Sequence, residues 1–154
     1  MTVRAFAAIA FAFAASVTFC MPPKAFAQDS MATPTLYKQL GGYDAIAAVS
    51  NDFITRLATD PKLSRFFVGL NDKHKAQVTQ RVVEFLCAKT GGPCIYTGTD
   101  MKVTHAGLHI TDDDWNAMLG DFAQTAAKFN IPANLQKQIG DFFTSLKPDI
   151  VTGP

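Results

Sequence analysis

From Leu36 to Leu146 the large apolar residues recur at steps of three and four, and no segment sustains a two-residue alternation. That period belongs to helices that bury one face. The chain is therefore expected to fold as an all-α domain. Glycine and proline punctuate the pattern. Gly41-Gly42 divides a short helix, with Leu36 and Leu40, from a longer one carrying Ile46, Val49, Phe53, Ile54 and Leu57. Asp60-Pro61 ends the longer one, because the residue before a proline is pushed out of the helical region. Leu63 to Phe67 forms a short apolar knot. Lys73 to Lys89 follows as a helix with Val78, Val82, Phe85 and Leu86 on one side. Gly91-Gly92-Pro93 stops it. After a stretch rich in turn formers, Asp100 to Leu108 suits a short helix. Thr111 followed by Asp112, Asp113 and Asp114 supplies a hydroxyl cap and an acidic first turn. The helix it opens holds Trp115, Met118, Leu119, Phe122 and Phe129. Pro132 begins the last helix, expected to stop near Lys147-Pro148.

The N-terminus follows a different logic. A short start containing Arg4 leads into an almost unbroken apolar run from Ala5 to Phe19, and Ala25-Phe26-Ala27 offers small residues around a cleavage point. Together these have the form of a secretory signal peptide. The run is shorter than the ~20 residues of a comfortable membrane span, which disfavours an uncleaved anchor. Val17-Thr18-Phe19 before Cys20 does not suit a lipidation site. The expected organisation is a signal peptide (1–27), a disordered leader (28–34) and one domain (35–151), placed in the periplasm or secreted after cleavage near Ala27. Cleavage removes Arg4 and Lys24 and no acid, so the formal charge falls from +1 to −1. A nearly neutral domain without a basic stripe is a poor partner for nucleic acid or an anionic membrane surface.

The mature chain keeps Cys87 and Cys94. An even pair in an exported chain tends to oxidise, so a disulfide tying a helix end to the following loop is expected. The spacing is not that of a redox-active Cys-x-x-Cys motif.

Chemistry is sought first at His74, His105 and His109. The sequence has no Cys-x-x-Cys-His, no His-Glu-x-x-His, no Gly-x-Ser-x-Gly and no phosphate-cradling loop. His105 and His109 stand four apart and could bind zinc from one helical face, although nothing nearby completes a ligand set. Alternatively, Met101, His105 and Leu108 share a face. An imidazole there offers a lone pair to a haem iron and the apolar neighbours a wall against the porphyrin. Taken alone, a histidine among apolar residues is more often a core residue with a satisfied hydrogen bond. Phenylalanine is abundant, with thirteen in the chain and eight of them after residue 27, and the pairs Phe66-Phe67 and Phe142-Phe143 are heavy for a helical domain this small unless it wraps something.

Six pieces in order carry a resemblance. They are Leu36-Tyr37-Lys38-Gln39-Leu40-Gly41-Gly42, Phe53-x-x-Arg56, Asp60-Pro61-x-Leu63-x-x-Phe66-Phe67, Gly91-Gly92-Pro93, Tyr96-Thr97-Gly98 and Met101-Lys102-x-x-His105-x-Gly107-Leu108. Across Leu36 to about Val151 the chain resembles the group 1 truncated haemoglobins. The resemblance implies a two-on-two helical sandwich around haem b, with His105 as the proximal iron ligand. It implies that Phe67 stacks on the haem and that Tyr96 and Met101 line its proximal side and edge. Trp115, Met118 and Phe122 would close the pocket, and Arg81 would reach a propionate. The implied ligands are dioxygen, carbon monoxide and nitric oxide, with a reductase keeping the iron ferrous. Reversible gas binding is the expected role. Nitric oxide dioxygenase or peroxidase activity is the alternative.

The distal side departs from the family. Ile54 stands where a tyrosine usually donates to bound dioxygen. Val78 and Val82 fall at the positions facing the gas, where glutamine is common. Gln77 and Gln80 flank them, and a one-residue shift of register would turn Gln77 inward. His74 could serve as a sixth ligand only if its helix swings inward. Bound dioxygen draws partial negative charge, and a buried donor stabilises it by ~1–2 kcal/mol. A pocket without that donor is expected to lose dioxygen faster and to hold carbon monoxide and nitric oxide relatively better.

Overall fold

A computed structural model of the chain describes residues 33–154. The expected signal peptide and nearly all of the leader lie outside the described residues. Six α-helices and one 3-10 turn follow in order, and no strand occurs among the described residues. The helices are α1 (Leu36–Gln39), α2 (Gly42–Thr59), α3 (Asp72–Lys89), α4 (Met101–His105), α5 (Asp112–Lys128) and α6 (Ala133–Ile150); the 3-10 turn is Ser64–Phe67. No helix among them is long and apolar enough to cross a membrane.

The long helices stack two on two, α2 and α3 against α5 and α6. Their core is aromatic. Phe53 of α2 meets Phe122 of α5 edge-on at 5.8 Å and stacks on Phe143 of α6 at 6.1 Å, and Phe122 meets Phe143 edge-on at 5.1 Å. Trp115, Ala126 and Ile139 complete the buried cluster. Edge-to-face pairs add about 0.5–1.5 kcal/mol each beyond burial, so one residue from each of three helices fixes how the layers meet. A polar clamp adds to the α2–α5 contact. Asp52 accepts from Arg56 at 2.8 Å, from the Thr125 hydroxyl at 2.9 Å and from Lys128. The Lys128 bond, with those of Arg56 and Thr125, outweighs the opposing effect of burial and lowers the Asp52 carboxyl to about 2.

The helix starts use local chemistry. Asn71 caps α3 and Asp100 caps α4 through their side chains. Thr111 and Asp114 form a reciprocal capping box at α5, as the acidic first turn announced. Asp60, ahead of Pro61, leaves α2 with extended geometry, ψ 131°.

Two boundaries differ from expectation. The last helix does not stop at Lys147-Pro148 but runs to Ile150. A proline in the final turn deletes only one backbone bond, from its own missing N–H, and Val151 N still donates to Lys147 O at 2.9 Å. The helix expected from Asp100 to Leu108 ends at His105. Ala106 turns extended, Gly107 adopts φ 78° and His109 adopts φ 52°, so the chain leaves the helix axis at once. The segment after α4 is held from the far end of the chain. Thr152 N and Gly153 N both donate to Ile110 O, at 3.0 and 2.8 Å. A Cβ at Gly153 would lie 2.6 Å from His109 O, so this close approach requires glycine.

Candidate functional site

His105 is the last residue of α4, and its helix packs against α6. Its ring is half-buried, and Nδ1 lies 2.8 Å from Met101 O, one turn back. A carbonyl oxygen can only accept, so Nδ1 carries the proton. In the neutral ring Nε2 then keeps its lone pair, and the bond to Met101 O holds the ring in one orientation. This is the donor state a metal-binding imidazole needs.

The short α4 changes what surrounds that ring. Met101 shares a face with His105 and is half-buried. Leu108 does not share it, because it follows the left-handed Gly107, and it is exposed. His109 likewise leaves the helix, which removes the four-residue helical spacing on which a zinc pair depended. Among the described residues no group of three His, Cys, Asp or Glu side chains could hold a metal. His74 is exposed at the start of α3.

Helix α3 packs on α2 and buries Val83, Phe85 and Cys87. Val78 and Val82, four apart, sit on a different face and are only half-buried, while Gln77 is exposed. Gln80 is exposed too and donates to the Tyr43 hydroxyl at 3.1 Å. Phe67, at the end of the 3-10 turn, is also half-buried. Ile54 of α2 is 6% exposed. An imidazole oriented by Met101, half-buried valines on α3 and a half-buried phenylalanine at the end of the 3-10 turn are the residue types that suit a haem.

Tyr96 stands beside this region. Its hydroxyl donates to Thr99 O at 2.7 Å, and its ring meets Phe85 edge-on at 5.1 Å. Arg81 is exposed and donates to Glu84 at 2.9 Å and to the Thr97 hydroxyl at 2.7 Å. Trp115 and Phe122 lie within the core cluster, with Met118 packed against it. Cys87 and Cys94 are bridged, with Cα atoms 5.7 Å apart.

Two features escaped the sequence argument. An apolar cavity of about 140 Å³ lies between α2, α3, α5 and α6, lined by Ile46, Phe53, Phe122 and Phe142 among others. Ser50 is buried on its wall, and its hydroxyl has no partner. The signal was a serine four residues after Ile46 and three before Phe53, inside an apolar stripe. The second is the ion pair of Arg65 with Asp114, 49 residues apart, which no local pattern announces.

Residues 35–152 match the family model for bacterial-like globins. The group 1 truncated hemoglobin GlbN of Mycolicibacterium paratuberculosis is 33% identical over 119 residues, covering 77% of this chain and 85% of its own. The chain belongs to the group 1 truncated haemoglobins. Solved structures show the same fold. The truncated hemoglobin of Tetrahymena pyriformis in its Fe(III) form superposes with a TM-score of 0.70 at 22% identity, over 77% of this chain and 98% of that one. The 2/2 hemoglobin of a Synechococcus strain, solved in the cyanomet state with covalently attached heme, gives 0.68 at 22% identity over 77% and 98%. Membership of the truncated haemoglobins makes this chain a haem globin of the gas-binding kind.

Proposed function

We propose that this truncated haemoglobin is exported, holds haem b through His105 and reversibly binds dioxygen, carbon monoxide and nitric oxide. The observation that carries the reading is the Nδ1 bond of His105 to Met101 O, at 2.8 Å, which leaves Nε2 as a lone-pair donor. When bound, haem supplies an iron with one open position for a diatomic gas. The chain does the rest. Met101 fixes the tautomer and ring of His105. Phe67, Val78 and Val82 present apolar surface that excludes water from the porphyrin. Arg81, now engaged with Glu84 and Thr97 at the surface, is the cation available to a propionate. Export through residues 1–27 accords with a paired Cys87 and Cys94.

Ile54 shapes the gas preference. It brings no donor to the distal side, and neither does Val78 or Val82. A chain with that lining favours gases that need no hydrogen bond over the well-held dioxygen that nitric oxide dioxygenation requires. Replacing Ile54 with tyrosine is expected to slow dioxygen dissociation about tenfold, the effect of one buried donor worth ~1.4 kcal/mol. Stopped-flow dissociation measures it. An unchanged rate would place the donor elsewhere, with Gln77 the first residue to test.

The reading as a whole is tested by absorption spectra of the purified protein after haem addition. An intense Soret band that shifts with carbon monoxide in the ferrous form is expected. A colourless protein with bound zinc would overturn it.

A further inference from the structure

The helix bearing Val78 and Val82 and the helix bearing His105 are joined by residues 90–100. Between Pro93 and Thr99 that segment makes no backbone–backbone hydrogen bond among the described residues. Side chains hold it to α3 instead. Arg81 donates to Thr97, Phe85 packs on Tyr96, and Cys87 is bridged to Cys94. The first is an exposed polar contact and the second a single aromatic pair. The bridge alone is covalent. Its two cysteines are unequal in exposure, Cys87 fully buried and Cys94 half-buried.

From this arrangement we propose that the Cys87–Cys94 bridge is a redox-responsive tether that limits how far α4, and His105 with it, can move from the end of α3, and that a dithiol reductant loosens it. The proposal rests on His105 holding haem. One thiolate of the dithiol attacks the sulfur of Cys94, the less buried of the two residues, and expels the Cys87 thiolate. The second thiol of the reagent then displaces Cys94 and closes a cyclic disulfide. Two electrons and two protons pass to the protein, which ends with two thiols. The loop keeps Tyr96 on Phe85 and Thr97 on Arg81, so the domain stays folded. What it loses is the covalent limit on how far the start of α4 can move from the end of α3.

The test uses the haem-loaded protein, oxidised and after dithiothreitol, with thiol labelling to report the redox state. Haem transfer to an excess of apoglobin acceptor is timed, and amide hydrogen exchange is followed over residues 92–105. Reduction is expected to speed haem transfer roughly three- to tenfold, the change allowed when part of the loop-closure constraint is released. It is also expected to raise exchange over residues 103–105, whose amides are hydrogen-bonded at α4. Cys94→Ser should show the reduced values with or without dithiothreitol, which separates the tether from any direct effect of the reagent on iron. Equal transfer and equal exchange in the two redox states would overturn the proposal, as would two free thiols in the untreated protein. If the protein takes up no haem, the reading above fails, and hydrogen exchange on the haem-free chain still decides the tether: unchanged exchange after reduction refutes it.

Discussion

His105→Ala is expected to abolish stable haem binding while leaving the helical fold intact. The ring is half-buried at the end of a five-residue helix, and its only hydrogen bond among the described residues is to Met101 O in its own segment. No other element depends on it, so the far-ultraviolet dichroism of the variant should match the parent. Haem retention should not. Losing even an outer-shell partner of a metal ligand costs about 10–100-fold in affinity, so losing the ligand itself is expected to exceed a hundredfold. Titration with haem, read at the Soret band, measures this. Free imidazole added to His105→Ala is expected to restore part of the band by occupying the vacated space. His74→Ala and His109→Ala serve as the contrast. His74 is exposed and His109 leaves the helix in a left-handed conformation, so both variants should bind haem like the parent. Normal binding by His105→Ala, or loss in His109→Ala, would refute the assignment.

The parts of this site differ in how far the sequence carried them. Capping is local chemistry, and Thr111 with its three aspartates predicted the start of α5. The stop at Asp60-Pro61 is local as well, since the proline ring disfavours the helical ψ before it. Gly107 was harder. Glycine within a helical pattern is tolerated, and only the extended Ala106 and the φ of 78° at Gly107 show that α4 has already ended before it. Leu108 therefore left the face on which the sequence had placed it. Pro148 misled in the opposite sense, because a proline in the last turn removes one bond rather than the helix. Ser50 was visible as a polar break in an apolar stripe, but the space it faces exists only once four helices are assembled. Contacts between distant segments had no local signal at all. Arg81 with Thr97 and Arg65 with Asp114 are of this kind.

The Arg65–Asp114 pair is where the second large effect is expected. Asp114 is buried, at 2% exposure, and its carboxylate is fully engaged. Arg65 donates to both oxygens, at 2.8 and 2.7 Å, and Thr111 donates its backbone N–H at 3.0 Å and its hydroxyl at 2.9 Å. Arg65 also lies over the Phe66 ring at 4.4 Å and donates to Lys62 O. The carboxylate thus ties the start of α5 to the turn that ends in Phe67. Asp114→Ala removes charge-assisted bonds and the capping box together, and leaves the Thr111 N–H without a partner. The Arg65 side chain is half-exposed, so water recovers its charge and limits the penalty. The expected cost is about 2–4 kcal/mol, measured by urea denaturation. Burial pushes the Asp114 carboxyl up, but the bonds from Thr111 and Arg65 outweigh it and hold it below its ordinary value. A carboxyl lowered by folding contributes stability above its unfolded pKa of about 3.9 and loses it as pH falls through the folded value. The parent should therefore lose stability below about pH 4, and Asp114→Ala should lose less over the same range. Haem release should also quicken in the variant, because Phe67 is carried by the turn that Arg65 anchors. A variant as stable as the parent at pH 7, with the same acid profile, would show that the α5 start and this turn are held by packing alone.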